Sequence, residues 1–355
     1  MTDGPVGWAS RPGRGRSHLP VVARLADGRE ILYFDDESRP ARAPVPDARQ
    51  LAPRPEPGQL RVDPLTGERV VVAAHRQTRT FLPPADECPL CPGHEVPDPA
   101  YDVVVFENRW PSFSGPSDEK GIAAAGRCEV VAFTDRHDVS FGQLPSGRVS
   151  TVVDAWLHRS RHLSGLDGVS YVALFENRGE LIGVTLAHPH GQIYAYPFVP
   201  PVIERLQARA AGRPNLFRDV LDRQAAGPRV VLSDDYWLAF VPEAPRWPYE
   251  VLLMPRREVP LMHELGEQER AALSVLLPRL LGTFDRLFSA PAPYIAAWRQ
   301  SAVGRDDLRL HLSVFSAQRA EGRLKYLAGS EAAYGAFIND VSPEAAAASL
   351  RAGIR

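Results

Sequence analysis

Cysteine, long apolar runs and net charge are all scarce in this chain, and each scarcity excludes something. Three cysteines in 355 residues make a poor disulfide framework, which argues against the small, disulfide-stapled secreted class. No apolar run reaches the roughly 18 residues of a membrane span. The opening stretch "MTDGPVGWASRPGRGRSHLP" lacks the apolar core of a secretory signal, so the expectation is a cytoplasmic protein. A formal net charge of −2 gives no general polyanion-binding signal and makes nucleic acid a poor candidate partner. A nucleotide-sized ligand needs only a local cluster of donors, which net charge does not reveal.

What is present is an ordinary globular composition, 44% hydrophobic and 24% charged, on a chain long enough for two domains. Residues 1–18, rich in Gly, Pro and Arg, read as a disordered tail. "VVARLADGREILYFDD" reads as a hairpin about Asp27-Gly28, and "LRVDPLTGERVVVAAHR" as a second about Pro64–Gly67. The strands "YDVVVFENRW" and "RCEVVAFTDRH" precede helical periodicity over 147–165, with Val152, Val153, Trp156 and Leu157 as its apolar stripe. The strands "VSYVALFENRGE" and 187–200 follow, then a helical stretch over 201–225. The order then repeats. Residues 236–265 have the strand, loop, strand rhythm of 101–143, and a helix over 266–288 carries Pro278 as an expected kink. "PYIAAWRQSAVGRDD" and "LRLHLSVFSAQ" close the second half. This self-similarity suggests a duplicated α+β unit, with His188 and His190 matched by His311 and Ser313. The units are placed at 19–210 and 211–355.

Two motifs carry chemistry. Cys88-Pro-Leu-Cys91, in a turn rich in Pro and Gly, has metal-knuckle spacing. A redox role requires the first cysteine at a helix N-terminus, which this sequence does not offer; a pair of free structural thiols is the plainer alternative. A tetrahedral ion needs two further ligands, for which His94, His137, His188 and His190 are candidates. The second motif is "AHPHGQIYAYPFVP", in which alternation along a strand turns His188, His190 and Gln192 to one face. If His188 completes a closed site, His190 is left free as a nucleophile toward phosphorus, with Gly191 allowing close backbone approach and Gln192 offering amide hydrogens to a phosphoryl oxygen. His190 as a second metal ligand is the competing assignment. His75-Arg76-Gln-Thr-Arg79 adds two guanidiniums suited to phosphate, and "FENRW" and "FENRGELIG" each place an Asn and an Arg at a strand end.

Together, "HPHGQ", "CPLC" and "FENRGELIG" resemble the galactose-1-phosphate uridylyltransferase family, a branch of the histidine-triad superfamily, from about "RVDPLTGERVVVAAHRQTR" to "LKYLAGSEAAYGAFINDVSPE". The resemblance implies an α+β fold of duplicated histidine-triad-like units, each an antiparallel sheet with flanking helices. It also implies a homodimer, and exchange of UMP between UDP-glucose and galactose 1-phosphate through a uridylyl-histidine. By position it assigns His190 as nucleophile, Gln192 as its catalytic partner, and Cys88, Cys91, His137 and His188 as zinc ligands. Arg76, Arg79, Asn108, Arg109, Asn177, Gly183, Val184 and Thr185 fall on nucleotide-binding positions. Lys325, Tyr326 and Glu331 fall on a segment that reaches the hexose, commonly in the neighbouring subunit. The chain departs from the pattern at Arg299 and Ser313, where some members have the histidines of a second, iron-type site, so that only His311 remains. It departs also at Ala187 and at Ser330, on the hexose side. The alternatives are a related nucleotide-sugar or dinucleoside-polyphosphate phosphorylase or hydrolase and a non-catalytic zinc-stabilised nucleotide-binding module. Triad hydrolases usually carry a third histidine where this chain has Gln192, which favours transfer.

Overall fold

The computed structural model describes residues 19–78, 82–115 and 124–355; the expected tail, 1–18, and Arg79 lie outside them. The first expected hairpin joins β1 (Val21–Arg24) to β2 (Glu30–Phe34), with Gly28 in the turn at φ +84°. The second, β3 (Gln59–Val62) and β4 (Arg69–Val72), forms a separate two-stranded sheet. The first half continues with β5 (Val103–Glu107), β6 (Arg127–Ala132), β7 (Tyr171–Arg178) and β8 (His190–Tyr196). The second supplies β9 (Val230–Ser233), β10 (Trp237–Phe240), β11 (Tyr249–Pro255), β12 (Tyr294–Arg299) and β13 (His311–Ser316). A short hairpin, β14 (Gln318–Ala320) and β15 (Arg323–Leu324), follows.

All strands but the two small hairpins join one eleven-stranded sheet in the order β1-β2-β5-β6-β8-β7-β12-β13-β11-β10-β9, and every pairing in it is antiparallel. Outward from the β7–β12 seam the order mirrors itself: β7, β8, β6, β5, β2 on one side and β12, β13, β11, β10, β9 on the other. That symmetry is the expected duplication. The seam pairs Glu176 with Ala296 and Leu174 with Trp298, so the two halves share one sheet and one core.

Period-two alternation decides what each sheet face meets. Val103, Val105, Val131, Ile193 and Ala195 point to the face covered by α1 (Ser146–Ser164) and α4 (Glu267–Leu281), which bury Val152, Val153, Trp156, Leu276, Leu277 and Leu280 there. Their neighbours Val104, Phe106, Val130 and Ala132 point the other way, onto Cys88, Leu90, Val96 and Tyr101. The even-numbered residues of β8, including His190 and Gln192, share this second face. Helix α1 is also tied to β6 by charge. Arg159 donates from Nε and Nη2 to the two carboxylate oxygens of Glu129 at 2.8 and 2.6 Å, with side chains 1% and 0% exposed.

Three boundaries differ from the sequence expectation. The stretch 201–225 is two helices, α2 (Pro201–Ala210) and α3 (Leu216–Ala225). Gly212 at φ +72° and Pro214 interrupt it, because neither continues a right-handed ladder. Helix α4 stops at Leu281, three residues beyond Pro278, instead of kinking and running on. Strand β8 begins at His190, since Pro189 has no N–H to give the ladder, so His188 precedes the strand. The chain ends in α5 (Gly329–Tyr334) and α6 (Pro343–Ala352). Replacing Arg159 with Met removes both Arg159 bonds to the buried Glu129 carboxylate and leaves it Arg127 Nε, at 3.1 Å. This should cost about 2–3 kcal/mol, read as a lowered urea midpoint for Arg159→Met against the parent.

Candidate active site and metal centre

The connector before β5 folds into a tight turn in which the Cys91 N–H donates to the Cys88 carbonyl at 3.1 Å. That brings both thiols to one side, against the loop after β6 and the residue leading into β8. Ligand atoms of Cys88, Cys91, His137 and His188 all lie within 4.8 Å of one another. Cys91 Sγ stands 3.5 Å from His137 Nδ1 and 3.6 Å from His188 Nδ1. His94, a candidate by type, is not in the cluster. His188 donates its Nε2–H to the Thr134 carbonyl at 2.7 Å, with the Tyr101 hydroxyl oxygen at 3.2 Å. Tyr101 in turn donates to the Leu90 carbonyl at 2.6 Å. Those outer contacts leave the Nδ1 lone pair facing the thiols, the orientation a metal ligand requires.

Burial favours the uncharged forms of His188 and Cys91. Burial pushes His188 down to about 4, keeping its imidazole neutral. Burial, then the neighbouring Cys88, pushes the Cys91 thiol up to about 11. A bound divalent metal would make thiolates stable in this setting. The donor set therefore fits a metal, and four protein ligands would close its coordination sphere, making it structural.

His190 is placed by the same residue. Its Nδ1–H donates to the His188 carbonyl at 2.7 Å, which fixes the tautomer and leaves the lone pair on Nε2. Burial holds its pKa below the ordinary histidine value, so the ring is neutral at physiological pH. Gln192 follows on the same face, and the Tyr194 hydroxyl donates to its Oε1 at 3.0 Å. Burial holds that hydroxyl protonated, and the Phe175 ring stands edge-on to Tyr194 at 5.1 Å. The Tyr194 bond fixes which end of the Gln192 amide is the oxygen. Gly191 has a different role from the expected ligand approach. A Cβ there would meet the Phe133 ring at 2.8 Å and the Phe175 carbonyl at 3.0 Å, on the side of the sheet away from His190.

Arg76 lies in a 3-10 turn, Ala74–Thr78, and donates to Ser112 Oγ at 2.7 Å and the Trp110 carbonyl at 3.2 Å. Asn108 caps its own turn, its Oδ1 accepting from the Trp110 N–H at 2.8 Å, with the half-buried Arg109 between them. Asn177 sits near the end of β7 on the face of Phe175, opposite Ile295. Gly183, at φ +79°, turns the chain into buried Val184. The Thr185 carbonyl then accepts the Leu82 N–H at 2.8 Å.

The C-terminal residues are arranged otherwise. Lys325 donates to Glu331 at 2.8 Å and also to the Ile338 carbonyl, and both charged side chains are buried, so these two brace their own segment. Tyr326 is 77% exposed, and Ser330 donates to the Ala336 carbonyl.

In the second half, Arg299 donates to Ser313 Oγ at 3.3 Å and pairs across the sheet with His311. His311 opens β13 and donates Nδ1–H to the Arg309 carbonyl at 2.8 Å. His190 opens β8 with the same bond to residue 188. His311 is thus the counterpart of His190, not of His188, and Arg309 is the counterpart of His188.

Tyr194, Tyr101 and Thr134 are the residues that sequence reasoning missed. The i+2 relation of Tyr194 to Gln192 was a usable signal; the other two come from distant segments and gave none. Since thiolate ligands must shed their protons, loading the metal-free protein with a divalent cation should release about two protons per chain and bind more tightly as pH rises. Calorimetry in buffers of different ionisation heat checks this. Uptake without proton release would place the ion elsewhere.

The galactose-1-phosphate uridyl transferase N-terminal domain model matches residues 54–200, and its C-terminal domain model matches 209–352. The chain is 45% identical to galactose-1-phosphate uridylyltransferase of Streptomyces lividans, over 92% of this chain and 96% of that protein. It is 35% identical to that of Thermotoga maritima, over 82% and 98%. A solved uridylyltransferase structure superposes with a TM-score of 0.75 at 31% identity, over 83% of this chain and 98% of the other. An ADP-glucose phosphorylase from Arabidopsis thaliana, at 24% identity and a TM-score of 0.65 over 83% of this chain and 98% of the other, shares the fold. The duplicated sheet, the thiol–imidazole cluster and these matches over most of its length make the chain a member of the galactose-1-phosphate uridylyltransferase family and an enzyme of the transferase class.

Proposed function

We propose that the protein exchanges UMP between UDP-glucose and galactose 1-phosphate by double displacement at His190. The observation that carries this reading is the bond from His190 Nδ1–H to the His188 carbonyl. The free Nε2 attacks the α-phosphorus, an N–P bond forms, and the bond from the α-phosphorus to the bridging oxygen breaks. Glucose 1-phosphate leaves as a stable anion and needs no general acid. The ring becomes cationic while Nδ1 keeps its proton, and the carbonyl oxygen stabilises that charge. Galactose 1-phosphate then attacks the same phosphorus and restores the free imidazole. The Gln192 amide, held by Tyr194, suits donation to a phosphoryl oxygen as charge develops.

Arg76, Arg79, Asn108, Arg109, Asn177, Gly183, Val184 and Thr185 are assigned to the nucleotide. Tyr326 is assigned to the hexose across a homodimer, on a segment braced by Lys325 and Glu331. Tyr326, Tyr334 and Ile338, exposed at 77%, 86% and 60%, are large apolar side chains of that segment suited to burial by a second subunit. For the metal we propose zinc. Tetrahedral zinc, with Zn–S near 2.3 Å and Zn–N near 2.05 Å, has S···N edges of about 3.6 Å, matching the 3.5 and 3.6 Å found here. Zinc would supply a rigid anchor for the His188 end of β8. Free thiols at Cys88 and Cys91 suit a reducing, cytoplasmic setting.

His190→Gly should still bind UDP-glucose but lose about 10⁴-fold or more in exchange, as removal of a covalent nucleophile does. Added imidazole should fill the gap, take the uridylyl group and release glucose 1-phosphate. His188→Gly should lose metal and not be rescued. Near-normal exchange by His190→Gly would remove the nucleophile assignment, and turnover with inorganic phosphate as the preferred acceptor would make the enzyme a phosphorylase. Tyr194→Phe frees the Gln192 amide to rotate. It should lower kcat about five- to tenfold, the worth of one hydrogen bond, with KM for UDP-glucose little changed. An equal loss in a Gln192→Ala background would show that Tyr194 does not act through Gln192.

A further inference from the structure

Arg309, the counterpart of the ligand His188, opens onto a cleft that the reaction above does not use. Arg218 and Asp222 of α3, Arg256, Arg257 and Glu258 after β11, and Arg309 before β13 line an open volume of about 380 Å³ over Leu221. Four guanidiniums from three separate segments thus meet two carboxylates. Arg257 is committed to Glu269, with two bonds of 2.7 and 2.6 Å, and Glu258 is shared between Arg218 at 2.8 Å and Arg309 at 3.2 Å. Arg256 gives its Nε–H to the Asp234 carbonyl and reaches Ser233 Oγ at 3.5 Å.

Arg309 is the anomaly. It is 4% exposed, yet its Nε and Nη1 are buried with no hydrogen-bond partner among the described residues. Buried guanidinium hydrogens left unpaired are rare in folded proteins and call for an acceptor. Its backbone is held in place by the bond from His311 to its carbonyl, and the Phe217 ring of α3 lies against that histidine at 6.0 Å. The same backbone arrangement that presents a metal ligand in the first half here presents a cation.

We propose that this cleft binds a phosphate dianion, free or esterified on a small metabolite. Donors converging from several directions match a tetrahedral oxyanion better than a planar carboxylate. The cleft lies in the second unit, among residues that the proposed reaction leaves unassigned, so its occupation is a second binding event on the same chain.

The test is calorimetric titration of the intact protein carrying Arg76→Ala, which removes a phosphate-suited arginine on the nucleotide side. Inorganic phosphate, glycerol 3-phosphate and succinate serve as separate probes. We expect one saturable phosphate per chain, weakened at least tenfold by adding Arg309→Met and several-fold by adding Arg218→Gln. Arg218 is an exposed rim residue whose change leaves the fold intact, so it decides the matter if Arg309→Met does not fold. Tighter binding of the ester identifies a phosphorylated metabolite as the source, and tighter binding of inorganic phosphate identifies the free ion; either supports the site. No saturable binding, binding indifferent to Arg218→Gln, or succinate binding as tightly as phosphate would overturn it.

Discussion

One hydrogen bond, from His190 Nδ1 to the carbonyl of His188, sets what the active face can do. Residue 188 works twice: its side chain turns into the thiol–imidazole cluster, and its backbone oxygen selects the tautomer of the residue two positions on. A carbonyl in that place has to be held still. On one side it is held by the cluster, through Cys91, Thr134 and Tyr101. On the other it is held by β8, which runs between β6 and β7. Behind the sheet, the buried pair of Arg159 and Glu129 fastens α1 to β6, the strand that pairs with β8. In the role we propose for His190, a nucleophile held in this way avoids reorganisation at the moment of reaction.

The duplication shows how one scaffold carries two outcomes. In both halves a strand opens with a histidine whose Nδ1–H meets the carbonyl two residues before it. In the first half the residue that supplies the carbonyl is a histidine beside two thiols; in the second it is Arg309 beside Glu258. No cysteine lies in the second half, and Arg299 occupies the space beside His311 and Ser313. The backbone geometry is common to both halves, and the side chains set the chemistry.

Local features of the site were legible in the sequence. Cys88-x-x-Cys91, the paired histidines, Gln192 and the mirrored order of elements could all be read from spacing and alternation. What escaped depended on contacts between distant segments or on small shifts of register. Gly191 looked like a place for ligand approach, but its constraint comes from Phe133 and the Phe175 carbonyl, which no local pattern reveals. The second-half match was displaced by two residues because "LRLHLSVF" offers one histidine and two positions of equal strand parity; the hydrogen bond to Arg309 decides between them. Lys325 and Glu331 were read singly, and their ion pair, across five intervening residues, comes from the turn of the chain between them. Helix ends were misjudged where Pro214 and Pro278 act more strongly than apolar periodicity.

The measurement that tests this account most directly is the position of the uridylyl group on the ring. The protein is incubated with labelled UDP-glucose and no acceptor, and the modified histidine is recovered under alkaline conditions and separated by isomer. The account predicts label on His190 alone, wholly at Nε2, with an equal amount of glucose 1-phosphate released. Label at Nδ1 would contradict it, because that nitrogen is the one committed to His188. Label on another residue, or turnover without any, would contradict it also.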